Sequence, residues 1–231
     1  MYLFPASEFD SGSVAGTEPI GIAGDVPLAT SMSAPVGRSP AKRIFDFLLA
    51  VGLLVFFAPL MLLIALLVRV TSPGPALFKQ RRTGLNGKVF FIYKFRSMTV
   101  MEDGRLLPAQ RKDSRVTPLG AILRRSSLDE LPQLLNVVKG EMSLVGPRPH
   151  AISHDELYST LLPHYADRFR ARPGLTGLAQ VTGFRGELKT IDCLKGRVEA
   201  DLKYIAEWSI VMDVKVLFAT AMLLWRDEQA Y

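Results

Sequence analysis

A chain of 231 residues can bury one good core with appendages. Its 28 Lys and Arg against 22 Asp and Glu give a net charge of +6, which favours anionic partners: nucleic acid, lipid head groups or phosphorylated substrates. The lone Cys193 excludes a disulfide framework and a thiolate zinc cluster, and suits a reducing compartment.

Residues 1–40 are rich in Ser, Gly, Pro and Ala and lack the basic start and apolar core of a signal peptide. They read as a disordered or loosely docked leader without chemistry. Residues 41–71 form a membrane element. From Phe47 to Val68 the chain is uncharged and apolar, broken only by Gly52 and Pro59. A straight helix of that length covers roughly 33 Å, enough for a hydrocarbon core. Arg38, Lys42 and Arg43 precede the run, and Arg69, Lys79, Arg81 and Arg82 follow it, so the cytoplasmic charge signature marks both ends. Two topologies fit: a spanning helix kinked at Pro59, or a re-entrant helix–turn–helix that breaks at Ala58-Pro59 and returns to the cytoplasmic face.

Residues 72–231 make the third unit. Leu77–Arg82 and Lys88–Arg96 read as strands joined through Asn86-Gly87, which predicts a basic hairpin. Lys79, Arg81, Arg82, Lys94 and Arg96 suit a nucleotide diphosphate or, equally, a solvated lipid-facing edge.

Leu131, Leu134, Leu135 and Val138 fall at helical spacing, and Lys139-Gly140 ends the pattern. Pro132 lacks an N–H and belongs in a first turn, so the helix begins close to Asp129. Adjacent carboxylates, Asp129 and Glu130, then sit at a positive helix end, with Arg124 and Arg125 just upstream. Such a place lowers a carboxylate's pKa and also holds a phosphate. An ionised carboxylate beside an anion site is what a phosphoryl-transfer nucleophile needs. The plainer reading is that Ser127 and Glu130 form a capping box, or that Asp129 is the N-cap.

Arg148 in Gly146-Pro147-Arg148-Pro149 and Arg172 in Arg172-Pro173-Gly174 lie among residues that stiffen or turn the backbone. A fixed guanidinium suits bidentate phosphate recognition, and a plain surface turn is the alternative for either. His150 and His154 beside Asp155 and Glu156 hint at zinc, but the pattern fixes no third strong ligand. Neither a Walker A sequence nor a Rossmann glycine pattern occurs. Trp208, Val211, Val214, Phe218, Met222 and Trp225 repeat at helical spacing, which fits an interfacial amphipathic helix or one packed on the core. The basic residues are scattered among turns and the hairpin rather than striped along one helix, so nucleic acid is not among the expected partners.

Six segments in order carry a resemblance: Lys42-Arg43-Ile44-Phe45-Asp46 before the apolar run, Tyr93-Lys94-Phe95-Arg96-Ser97-Met98, Ser127 to Gln133, Gly146-Pro147-Arg148-Pro149, Arg172 to Gly177, and Tyr204 to Ser209. Across residues 41–225 the chain resembles the monotopic phosphoglycosyl transferases, bacterial sugar transferases that begin exopolysaccharide and related glycan assembly. The resemblance implies an α+β, mainly helical fold: a re-entrant membrane helix, a helical catalytic domain built on a β-hairpin, and interfacial amphipathic helices. It implies transfer of a hexose 1-phosphate from a UDP-sugar to undecaprenyl phosphate with release of UMP, at the cytoplasmic face of the bacterial inner membrane. Glucose is favoured over galactose. Asp129 would be the nucleophile and Glu130 its partner, both at a Mg²⁺ ion. Arg148 would hold a phosphate, Arg124 would support the acidic site, and Lys94, Arg96 and Arg172 join the candidate substrate-binding residues. A homo-oligomer and downstream glycosyltransferases complete the expected partners. The competing reading is a membrane-attached scaffold of polysaccharide assembly whose acidic pair only caps a helix.

Overall fold

Pro35–Arg38 form a short helix, α1, and Ser39 then caps the long α2, Pro40–Thr71. The Ser39 side chain accepts the Lys42 N–H at 3.2 Å, and Pro40 sits in the first turn, where the helix needs no donor. The computed structural model describes residues 34–99, 115–184, 186 and 190–226. Residues 1–33 of the leader and the side chain of Trp225 lie outside the described residues. Residues 34–40 belong to the folded body rather than to a leader. Ala34 and Val36 are buried, and the Ala34 N–H donates to the Arg170 carbonyl.

Helix α2 is long and apolar enough to cross a membrane. The expected break at Ala58-Pro59 does not form, and the segment is helical through Pro59. Proline removes one donor and crowds the Val55 carbonyl, which local bending absorbs without ending the helix. Both ends of α2 are tied to the remainder of the chain. Near the start, Arg43 donates to the Val137 and Val138 carbonyls at 2.5 and 2.6 Å, and Lys42 meets Asp213 at 2.8 Å. At the end, Arg96 donates to the Ser72 carbonyl and hydroxyl, each at 2.8 Å.

The hairpin forms as expected. Strands β1, Leu77–Thr83, and β2, Val89–Phe95, pair antiparallel from Leu77 opposite Phe95 to Thr83 opposite Val89. Asn86 and Gly87 adopt φ of 55° and 76° in the connecting turn, the backbone that Asn and Gly tolerate best. Helix α3, Pro118–Arg125, follows, then a 3₁₀ turn over Leu128–Glu130 and helix α4, Gln133–Lys139. A left-handed Gly140 closes α4. Asn136, fully buried, pins α4 to β2: it accepts from the Tyr93 N–H at 3.1 Å and donates to the Phe91 carbonyl at 2.7 Å.

Strand β3, Ser143–Val145, leads into helix α5, Ile152–Leu161, and a 3₁₀ turn over Tyr165–Arg170. Strand β4, Gly174–Thr176, returns parallel to β3 with Ser143 opposite Gly174 and Val145 opposite Thr176. This small ladder sets the two arginine-bearing turns side by side. The approach is so close that a Cβ on Gly174 would lie 2.1 Å from the Gly146 nitrogen. Helices α6, Leu178–Val181, α7, Ile191–Glu207, and α8, Ile210–Arg226, finish a mainly helical fold with few strands. Leu134, Val137, Leu144, Val145 and Tyr204, all essentially inaccessible, form the centre of the core between α4, β3 and α7. Burying each such side chain contributes on the order of 2 kcal/mol.

Candidate active site

After α3 the chain reverses at Ser127, which takes the left-handed φ of 55°, and the next three residues wind into the 3₁₀ turn that carries the acidic pair. Ser127 makes no capping bond, so the S-x-x-E pattern is not a capping box here. The α-helix proper starts at Gln133, with Pro132 as the residue before it. Asp129 and Glu130 therefore precede the helix start.

Glu130 is held by cations from two other elements. Lys94 of β2 reaches its Oε1 at 2.7 Å, and Arg148 grips it as a fork, Nη2 to Oε1 at 2.6 Å and Nη1 to Oε2 at 3.3 Å. Pro147 and Pro149 flank Arg148, and parallel pairing of β3 with β4 places that turn opposite the acidic pair. Burial alone pushes Glu130 up, but Arg148 and Lys94 together overcome it and hold the carboxyl well below the usual carboxylate range. Glu130 stays an anion.

Asp129 differs. It is 8% exposed, and among the described residues no side chain bonds its carboxylate. Burial raises its pKa from 3.8 to about 6; Lys94 opposes this, the Glu130 charge adds to it, and Arg124 and Arg148 pull it down. The lowering expected at a helix start is not seen. The positive end of α4 lies beyond Pro132, and a helix dipole acts only over its own first turn. The site thus holds one carboxylate already neutralised by two cations and another that is desolvated and reactive.

Lys94, Arg148, Asp129 and Glu130 come together as the sequence suggested, and Arg124 is near enough to act electrostatically on Asp129. Two other candidates do not join them. Arg96, buried, spends its Nη2 on the Val68 and Ser72 carbonyls at the end of α2. Arg172 donates to the Gly140 carbonyl at 3.1 Å and the Gly37 carbonyl at 2.8 Å, bracing the end of α4. His150 lies buried against Tyr165 rather than in a metal cage, and no group of three or more His, Cys, Asp or Glu is gathered among the described residues.

Sequence reasoning missed two buried polar clusters. Lys42 lies between Asp213 at 2.8 Å and Asp46 at 3.6 Å. Arg168, Tyr165, Asp155 and Asp201 form the other, directly behind Arg148. The Lys42–Asp46 spacing on α2 and the Tyr165–Arg168 spacing in the 3₁₀ turn are local, but Asp213, Asp155 and Asp201 come from other elements and complete each cluster.

The donor set is of hard oxygens only. Mg²⁺ commonly uses one or two carboxylates plus substrate phosphates, and the oxygens of Asp129 and Glu130 are donors of that kind.

A family model described as bacterial sugar transferase matches residues 37–227. The UDP-glucose:undecaprenyl-phosphate glucose-1-phosphate transferase of Caulobacter vibrioides is 53% identical over 191 residues, 82% of this chain and 72% of the relative. A protein of the same description from Escherichia coli K12 is 46% identical over 207 residues, 89% of this chain. The chain spans only 44% of that relative's length. The exopolysaccharide production protein PSS of Rhizobium leguminosarum bv. phaseoli is 46% identical, over 78% of this chain and 93% of its own length.

Proposed function

The chain belongs to the bacterial sugar transferase family, and on that footing we propose that it transfers glucose 1-phosphate from UDP-glucose to undecaprenyl phosphate, releasing UMP, as the first membrane step of exopolysaccharide synthesis. The observation that carries this is the pairing of a desolvated, raised-pKa Asp129 with a Glu130 locked by Lys94 and Arg148.

An Asp129 oxygen attacks the sugar-bearing phosphorus of the donor, and the bond to the UMP oxygen breaks. The carboxylate is then esterified as an aspartyl phosphosugar. A phosphate oxygen of the lipid attacks the same phosphorus, and Asp129 leaves as a carboxylate. Two displacements let UMP depart before the lipid phosphate enters, so ping-pong kinetics follow. Arg148 and Lys94 bring positive charge to the pair and help offset the repulsion between carboxylate and diphosphate. Magnesium bound at Asp129 and Glu130 would supply further neutralisation of the donor phosphates.

We place the catalytic residues at the cytoplasmic face of the inner membrane. Several features support a re-entrant α2 bent at Pro59. A straight helix of its 32 residues would be about 48 Å long and would send its ends to opposite faces. Here Lys42, Arg43 and Asp46 at one end, and Val68 and Ser72 at the other, all bond to the same domain. The exposed Val211, Val214, Phe218 and Met222 of α8 form an apolar stripe suited to the interface.

The test is UMP release in nanodiscs from a panel of UDP-sugars with undecaprenyl phosphate and Mg²⁺, for wild type and Asp129→Asn. Lipid-dependent release from UDP-glucose, lost in the variant, is expected. Release that survives in Asp129→Asn would sink the mechanism, and a wild type silent with every donor would favour the scaffold reading.

A further inference from the structure

Two residues of Pro147-Arg148-Pro149 have no N–H, so this turn is oriented almost wholly through its carbonyls. Each carbonyl is held. The Gly174 N–H donates to Pro147 O at 2.9 Å, Arg168 Nη2 to Arg148 O at 2.7 Å, and Arg82 Nη1 to Pro149 O at 3.5 Å. The bond from Arg168 is the shortest of the three and reaches the residue that grips Glu130.

Arg168 is itself fixed on its other sides. It is 3% exposed; its Nε donates to Asp201 Oδ2 of α7 at 2.8 Å, and its Nη1 to the Tyr165 hydroxyl at 3.0 Å. The Tyr165 hydroxyl donates to Asp155 Oδ1 of α5 at 2.5 Å, accepts from Arg168, and lies 2.6 Å from His150 Nδ1. His150 Nδ1 also lies 3.3 Å from Arg168 Nη1, and its Nε2 lies 3.5 Å from Arg197 Nη1. Burial together with the surrounding guanidiniums keeps His150 neutral. An arginine with both ends of its fork and its Nε engaged has one orientation, and a buried network of this kind specifies geometry more than it adds stability.

We propose that Arg168, braced by Asp201 and Tyr165, is a positioning residue for phosphoryl transfer, fixing through the Arg148 carbonyl where the Arg148 guanidinium meets Glu130 and the donor phosphate. This rests on the phosphoglycosyl transfer reading above. Arg168 touches no reacting atom, and its effect runs entirely through Arg148.

The experiment is a double-mutant cycle on the full chain in nanodiscs, read as UMP release from UDP-glucose with undecaprenyl phosphate and Mg²⁺. Arg168→Lys and Tyr165→Phe are each made in wild type and in Arg148→Lys. Displacing a catalytic group by about 1 Å costs up to roughly hundredfold, so each is expected to lower kcat/KM about tenfold to hundredfold in wild type. In the Arg148→Lys background the same changes should cost under about threefold, because the grip they disturb is already lost. Equal losses in both backgrounds would show a general structural role and overturn the proposal. Undiminished kcat/KM in folded variants would do the same. Tyr165→Phe keeps the ring and carries the test if Arg168→Lys does not fold. A wild type that releases no UMP from any donor overturns the functional reading and this inference together, which separates that failure from the other two.

Discussion

Asp129 carries a charge in a place that disfavours it, and removing that charge tests the site without any substrate. Its folded pKa of about 6 against 3.8 means the unfolded chain releases this proton more readily. Above about pH 6 the folded protein therefore bears the full cost of an ionised, desolvated Asp129. That cost fades as pH falls from about 6 towards 3.8, where both states hold the proton. The difference is worth on the order of 3 kcal/mol. Asp129→Asn is isosteric and uncharged, so near neutral pH it should be more stable than wild type while inactive in transfer. For a chain of this size 1 kcal/mol moves Tm by about 2–4 °C, so the expected gain is roughly 6–12 °C. The assay is thermal unfolding of both proteins in identical nanodiscs with chelator, near neutral pH and again near pH 5. The gain should shrink at the acid end. Adding Mg²⁺ should narrow it too, since an ion bound only by the folded wild type stabilises that protein alone. A variant less stable than wild type at neutral pH, or a gain that pH leaves untouched, would refute the electrostatic argument.

Glu130→Gln should act in the opposite direction. It leaves Lys94 and Arg148 without their anion, and breaking such a partly buried pair costs about 3 kcal/mol, the lower end of the range because both cations are partly exposed. A fall in Tm and loss of UMP release are expected; unchanged Tm would mean the pair contributes no net stability. Topology is tested by Arg38→Cys and Pro73→Cys in a Cys193→Ser protein, labelled with an impermeant maleimide in oriented vesicles. Both sites should react from one side, and labelling from opposite sides would establish a spanning helix.

Features written in neighbouring residues were legible in the sequence. The hairpin followed from two strand-like segments on either side of the Asn86-Gly87 turn, and α2 from its long uncharged apolar run. The acidic pair stood out because two carboxylates precede Pro132. What failed depended on partners far along the chain. The spacing of Ser127 and Glu130 implies a capping box, yet Glu130 is claimed by Lys94, 36 residues earlier, and Arg148, 18 residues later. Arg96 and Arg172 sit in segments as basic as that of Lys94, but they donate to carbonyls at the ends of α2 and α4 and in α1 that no local pattern points to. Pro59 suggested a break because proline is costly inside a helix, whereas a long apolar helix absorbs one lost donor.

The contact between Lys42 and Asp213 joins residues 171 positions apart. At about 5–20 residues per second, Asp213 leaves the ribosome roughly 10–30 s after Lys42. During that interval the membrane helix has been made, but the carboxylate that locks its first turn to α8 does not yet exist. Docking of α2 can be completed only once α8 has been made, so α8 acts as the latch on the start of α2. A chain terminated before residue 213 would leave Lys42 with Asp46 as its one acidic partner among the described residues.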